Sequence, residues 1–333
     1  MSRAAAPLPD ADPANWVDRR APAGLRPWLK LGRFDRPTGI WLLMLPGWQG
    51  IALAAAIGGR LPDPALLALF ALGAAVMRAA GCAYNDILDK DLDARVARTA
   101  SRPLASGDIG VGGAWAFVAA CGLAGLGILL TLNLMSLFLG VASLALIAAY
   151  PLMKRITWWP QAWLGLTFNW GALLGFAAAQ GGMSAARTLT LAAPAWVRGV
   201  DLKLFAPALP LAPILLYASG VLWTLGYDTV YAVQDLEDDA LVGVKSSARR
   251  LGKAAPTAVL IFYLSSAFLA LAVWRPSGLG PLFPLFAVIY GAHLVVQAAR
   301  LDVAAPASAL RLFKSNTVSG LLLFVGCAAG AVR

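Results

Sequence analysis

Residues 64–93 read PALLALFALGAAVMRAAGCAYNDILDKDLD, and the two ends of this stretch follow different rules. Up to Tyr84 it carries a single basic or acidic side chain, Arg78. An apolar run of roughly 17–25 residues is what a helix needs to cross a bilayer. From Asn85 onward the stretch turns acidic, with Asp86, Asp89, Asp91 and Asp93 around Lys90. If the helix continues, Asp86, Asp89 and Asp93 fall at spacings of three and four and share one face, while Asp91 falls off it. The reading that decides the fold is therefore a membrane-crossing helix that runs directly into aligned carboxylates at its end.

The surrounding chain agrees. Its 333 residues are 59% hydrophobic and 13% charged, with a mean hydropathy of +0.71; a soluble domain is about 45–50% apolar and about 25% charged. Apolar segments at about 38–57, 64–84, 112–131, 134–151, 161–180, 208–228, 255–274, 279–298 and 313–331 predict an all-α polytopic membrane protein with nine spans. These form one domain, 31–333, behind a polar cytosolic tail, 1–30. The tail shows no apolar core of the signal-peptide kind. Asp10, Asp12 and Asp18 do not suit an organellar transit peptide. An interfacial helix is expected around Trp28–Phe34.

With the N-terminus in the cytosol, 21 of the 27 Lys and Arg residues fall on the inner side and 6 outside. This predicts cytoplasmic acidic loops and an external C-terminus, in a bacterial inner membrane. It also accounts for the net charge of +10 without a nucleic acid partner. Cys82, Cys121 and Cys327 lie in or beside apolar runs and read as small buried hydrophobes. The single histidine, His293, lies inside an apolar stretch, which argues against zinc chemistry and against triad hydrolysis.

The chain has 17 acidic residues, and nine of them lie in two short stretches. The second holds Asp228, Asp235, Glu237, Asp238 and Asp239. On a helix, Asp228, Asp235 and Asp238 or Asp239 share a face. Both stretches start at the inner end of a span and lead into a long loop, a weak two-fold repetition of the kind that places a polar site between halves. Aligned carboxylates repel one another, and proximity to a bilayer raises the cost. A hard divalent cation relieves both; oxygen-only donors favour Mg²⁺ with one or two carboxylates plus phosphate oxygens and water. Two such clusters, each with Mg²⁺, can clamp a diphosphate, and Arg98, Arg102 and Lys245 suit its non-bridging oxygens. The diphosphate becomes a leaving group, an allylic prenyl diphosphate ionises, an electron-rich ring attacks, and the apolar spans house the tail. Two other readings stay open. The acids can be solvated helix-end residues, or intramembrane carboxylates of a cation-coupled transporter. The transporter explains less well why the acids spread into loops with Arg and Lys.

The motif Asn85-Asp86-x-x-Asp89-x-x-x-Asp93, followed by Arg98-Thr99-x-x-Arg102-Pro103-Leu104-x-Ser106-Gly107, resembles the first signature of the UbiA intramembrane aromatic prenyltransferases. Asp228-Thr229-x-Tyr231-Ala232-x-x-Asp235-x-x-Asp238-Asp239-x-x-x-Gly243-x-Lys245-Ser246 resembles the second. Arg78-Ala79-Ala80-Gly81-Cys82, the run from Tyr150-Pro151 through Lys154-Arg155 to Trp159-Pro160-Gln161, and Phe168-Asn169-Trp170-Gly171 are similar to the branch acting on 4-hydroxybenzoate in ubiquinone biosynthesis. The resemblance covers roughly residues 30–330. It implies helices around a central cavity, two Mg²⁺ ions, and transfer of a polyprenyl group from its diphosphate to the ring carbon ortho to the hydroxyl; another aromatic or lipid acceptor is the alternative within the family. It implies Asn85, Asp86, Asp89, Asp93, Asp228, Asp235, Asp238 and Asp239 as the magnesium-diphosphate residues, with Asp86, Asp89, Asp93, Asp228 and Asp235 the catalytic ones. Arg98, Arg102, Lys154 and Lys245 fall near the diphosphate, and Arg78 and Tyr150 near the aromatic acid. Arg36 falls at the cavity mouth, though topology alone explains it equally. Arg78 also suits snorkelling to the interface. Two departures are the long outer segment 181–207 and Glu237, which stands where Asp is common.

Overall fold

The computed structural model describes residues 14–95, 99–181, 209–236 and 243–333. Among them all regular structure is helical. Short helices α1 (Trp16–Arg20) and α2 (Arg26–Leu31) come first, then α3 (Thr38–Ile57), α4 (Pro64–Asp93), α5 (Val111–Thr131), α6 (Leu134–Ile156), α7 (Pro160–Ala179) and α8 (Leu211–Ala232). The chain continues with α9 (Ser247–Leu251), α10 (Ala255–Ala272), α11 (Trp274–Ser277), α12 (Leu282–Ala299) and α13 (Pro306–Ala329). Nine of these have 18 residues or more, one for each expected span.

Eight membrane-crossing segments pass on length and composition, and α8 is the long helix that is not among them. Its Ser219, Thr224, Asp228 and Thr229 lower its hydropathy. The chain is an integral membrane protein. Local chemistry sets the helix ends. Asn133 caps α6 by accepting from Ser136 N at 2.9 Å, and Lys154 and Arg155 occupy its last turn, where cations suit the helix dipole. Proline opens α7, α10 and α13, where its missing N–H costs nothing. The expected boundaries held to within a few residues at α3. They fell short at α4 and α6, which continue past Tyr84 and Pro151 to Asp93 and Ile156.

The chain divides into two compact units. The first comprises Met1–Trp41 and Leu72–Leu126. Its core is Leu31, Ala83, Leu104, Ile109 and Ala114, with Trp28, Ile87, Phe117 and Val118 packed against it. Residues 14–30, expected as a tail, are therefore largely structured: Val17 is buried, Lys30 pairs with Asp18 at 2.7 Å, and Trp16 Nε1 donates to Phe34 O at 2.8 Å.

The second unit comprises Leu42–Ala71 and Gly127–Arg333. In it α8 packs on α7, α10 and α13, α12 packs on α10 and α13, and α6 packs on α7. Trp223, Tyr227, Tyr263, Tyr290 and Phe283 fill the core. A buried polar network threads this apolar packing. Trp223 Nε1 donates to Asn316 Oδ1 at 2.7 Å, Asn316 Nδ2 to Gln297 Oε1 at 2.8 Å, and Gln297 Nε2 to Ser319 Oγ at 3.0 Å. Ser319 Oγ also meets His293 Nδ1 at 2.8 Å, which gives the lone histidine a structural partner. Helices α3 and α7 meet through Gly47, Gly50, Gly171 and Gly175; a β-carbon at Gly50 or Gly175 would collide with the facing backbone of Ala172 or Gly47.

Candidate active site

The first acidic motif lies on the last turns of α4. The helix is unbroken to Asp93, so the three-four spacing acts as expected. Asp86, Asp89 and Asp93 are buried to 1%, 2% and 7% exposure, while Asp91 and Lys90 are exposed. Each buried carboxylate is held. Arg33 Nη2 donates to both oxygens of Asp86, at 2.7 and 2.8 Å. Arg102 Nη1 donates to Asp93 Oδ2 at 2.7 Å and to Asp86 Oδ1 at 3.3 Å. Asn85 Nδ2 donates to Asp89 Oδ2 at 3.0 Å. Thr99 Oγ1 closes the helix end by donating to Asp93 O at 2.8 Å.

Burial of the Arg33 guanidinium opposes its charge. The Asp86 carboxylate, with smaller help from Asp35, more than offsets this and holds the pKa above its ordinary value.

Asp86 and Asp93 thus converge on one cationic nitrogen, Arg102 Nη1. Among the described residues no three acidic, histidine or cysteine side chains are grouped tightly enough to hold a metal by themselves. Two carboxylates suffice for Mg²⁺, which otherwise keeps water and phosphate oxygens. The donor set is hard oxygen throughout, so these residues fit the ion.

Two turns before Asp86 on the same helix, Arg78 lies against Gly39, near the start of α3. A β-carbon there would sit 2.8 Å from Arg78 Nε and 2.9 Å from Nη2, so any larger residue would make the guanidinium shift. Arg36 pairs with the buried Asp35 at 3.2 Å.

In the other unit, hydroxyls and amides fix the residues that flank the first acid of the second motif. Asn169 Nδ2 donates to Thr224 Oγ1 at 2.7 Å, and Thr224 Oγ1 to Tyr227 OH at 3.1 Å, one residue before the half-buried Asp228. Thr229 Oγ1 meets Ser247 Oγ at 2.7 Å, and Ser247 N donates to Gln161 Oε1 at 3.0 Å. The α-helix ends at Ala232, and Asp235 lies on a 3₁₀ turn, Val233–Asp235. The single helical face expected from Asp228 through Asp235 therefore does not extend that far, since the 3₁₀ turn has a different period. Lys154 and Lys245, far apart in sequence, come together: Lys245 N donates to Lys154 O at 3.1 Å, and Lys245 Nζ to Ile156 O at 3.2 Å. Tyr150 is half-buried against the second unit's core. Arg98, Glu237, Asp238, Asp239 and nearly all of segment 181–207 lie outside the described residues.

Sequence reasoning missed Arg33, counted only as one more cation on the inner side. It also missed Gln161, Thr229 and Ser247 as props of the second motif.

The sequence model of the UbiA prenyltransferase family matches residues 43–324. The chain is 43% identical over 316 residues to the mitochondrial 4-hydroxybenzoate polyprenyltransferase of Bos taurus, spanning 94% of this chain and 78% of that one. It is 42% identical over 322 residues to the Arabidopsis thaliana protein of the same name, spanning 95% and 72%. In structure it is similar to the apo form of a UbiA homolog from Aeropyrum pernix K1, with a TM-score of 0.66 and 26% identity over 86% of this chain and 96% of that one. A UbiA homolog from Archaeoglobus fulgidus, described as bound to GPP and Mg²⁺, shares the fold at a TM-score of 0.59 and 18% identity, over 92% of this chain and all of that one. With a family match across most of its length, relatives above 40% identity and the same fold in solved homologs, this chain belongs to the UbiA prenyltransferase family.

Proposed function

We propose that this chain is a Mg²⁺-dependent 4-hydroxybenzoate polyprenyltransferase. It moves a polyprenyl group from polyprenyl diphosphate to the ring carbon ortho to the hydroxyl. One observation carries the reading. In a chain with 42–43% identity to enzymes of that name, Asp86 and Asp93 converge on a single cation at the end of a membrane helix.

The following roles are proposed on the motif resemblance and the contacts of the first motif. Asp86 and Asp93 supply oxygens for the metal, with Asp89 kept in place by Asn85. Asp228 and Asp235, with Asp238 and Asp239, serve a second ion. Arg102 already donates to both carboxylates and is a ready donor to phosphate oxygens, a duty shared with Arg98, Lys154 and Lys245. Bound Mg²⁺ neutralises the diphosphate and makes it a leaving group. Arg78 pairs with the carboxylate of the acceptor and orients its ring; Tyr150 is a further proposed contact of the aromatic acid. The bond from the prenyl carbon to the diphosphate oxygen breaks, a carbon–carbon bond to the ring forms, and the displaced ring proton leaves. The Bos taurus and Arabidopsis thaliana relatives are mitochondrial and give no support to a bacterial inner membrane. The charge distribution favours the acidic motifs on the same side as the N-terminus.

The test uses purified protein in detergent with radiolabelled 4-hydroxybenzoate, a polyprenyl diphosphate and Mg²⁺. Prenylated 4-hydroxybenzoate is expected, and chelation should abolish it. Product with another phenol but not with 4-hydroxybenzoate would overturn the acceptor; no product with any phenol, together with cation-driven uptake in liposomes, would overturn the enzyme.

A further inference from the structure

We propose that Arg33 is a positioning residue: it holds the Asp86 carboxylate in one orientation before any metal arrives. The inference rests on the reading of the first motif given above.

The turn after α2 carries the only positive φ found at a non-glycine residue among the described residues, 61° at Arg33. L side chains rarely adopt this conformation, and such strain persists only where its surroundings over-determine it. Here they do. Leu31 is fully buried against Ala83 and Leu104. Phe34 N donates to Leu29 O at 2.9 Å, and Trp16 Nε1 fixes the other side of the turn through Phe34 O at 2.8 Å. Glycine would take the turn without strain, yet Gly32 sits one residue early and the positive φ falls on the residue with the long cationic side chain.

The guanidinium is anchored at both ends. Nη1 donates to Lys30 O at 3.1 Å, while Nη2 bridges the two Asp86 oxygens at 2.7 and 2.8 Å. Arg102 cannot substitute, since it reaches Asp86 only at 3.3 Å and sits closer to Asp93, at 2.7 Å. Arg33 therefore restricts the rotation of Asp86 from one side and leaves the lone pairs away from Nη2 for an incoming cation. Groups that orient a metal's ligands typically set its affinity by roughly 10- to 100-fold.

The experiment compares wild type, Arg33→Gln, Arg33→Lys and Asp86→Asn, each purified in detergent with its thermal unfolding recorded. Binding of Mn²⁺ with inorganic diphosphate is followed by the loss of the free Mn²⁺ EPR signal. Turnover is followed against Mg²⁺ concentration. Arg33→Gln is expected to weaken Mn²⁺ binding and raise the half-saturating Mg²⁺ by at least about tenfold, with kcat at saturating Mg²⁺ changed far less. Arg33→Lys should fall between Gln and wild type, and it keeps the proposal testable if Gln does not fold. Unchanged Mn²⁺ binding and Mg²⁺ dependence in the folded Arg33 variants, with lower kcat alone, would overturn the positioning role. So would tighter Mn²⁺ binding, which would make Arg33 a competitor of the metal. If Asp86→Asn itself binds Mn²⁺ and turns over like wild type, the reading of the first motif fails; if it loses both while the Arg33 variants change neither, only the present inference fails.

Discussion

The two acid-rich segments share residue types but seat their first carboxylates at different depths. On α4, Asp86 is buried to 1% exposure and pairs with Arg33 and Arg102, and Asp93 pairs with Arg102. At the end of α8, Asp228 is half-buried, and the residues beside it are fixed by hydroxyls and amides that include Asn169, Thr224, Tyr227, Thr229, Ser247 and Gln161. A substitution at the deeply buried carboxylates of the first should disturb metal affinity and stability together, whereas one at the half-buried Asp228 should cost less stability.

The sharpest contrast is Asp86→Asn against Asp228→Asn. Both are expected to lower kcat by about 10³-fold or more through loss of a metal-diphosphate ligand. Asp86→Asn strips a partner from a deeply buried ion pair and should cost about 3 kcal/mol of stability as well, whereas the half-buried Asp228 should cost less. Thermal unfolding in detergent decides, and equal losses of stability would erase the distinction. Next in size is Gly39→Ala, which pushes the Arg78 guanidinium out of its berth. A roughly 10- to 100-fold loss of kcat/KM is expected, expressed mainly as a higher KM for the aromatic acid. A rise confined to the KM for the prenyl donor would remove Arg78 from the acceptor's side. In the second segment, Thr229→Val leaves Ser247 Oγ without its partner from α8 and should cost about 1–3 kcal/mol. Its Mg²⁺ requirement should stay at the wild-type value, and a shifted requirement would blur the contrast. Smallest is Asp91→Asn, on the exposed side of α4, where activity within about twofold of wild type and a stability change within about 0.5 kcal/mol are expected. A large loss there would mean that the buried face does not define the first motif.

Much of the first segment was readable because an unbroken helix turns spacing into geometry. Three-four intervals put Asp86, Asp89 and Asp93 on one face, and Asp91 fell outside it. The second segment was less readable. No proline or glycine between Asp228 and Leu236 announces the change from α-helix to 3₁₀ turn after Ala232. The meeting of Lys154 with Lys245 depends on tertiary packing across distant helices, which no local pattern encodes. Arg33 was hidden for a different reason. Counting charges by side treats every arginine alike, and the backbone twist that aims this one is usually marked by glycine or asparagine.

The polarity of α8 bears on how the protein is made. Ribosomes release the chain from its N-terminus, so α8 reaches the membrane before α10, α12 and α13. Until then Ser219 lacks Ser266, Trp223 lacks Asn316, and the helix presents polar side chains to lipid or to the insertion machinery. Unpaired polar groups in hydrocarbon are costly. The segment bearing the second motif thus completes its buried polar pairing only once later helices have been made. Truncations ending between α8 and α10 are the products that a membrane quality-control protease would meet with their polar groups still unpartnered.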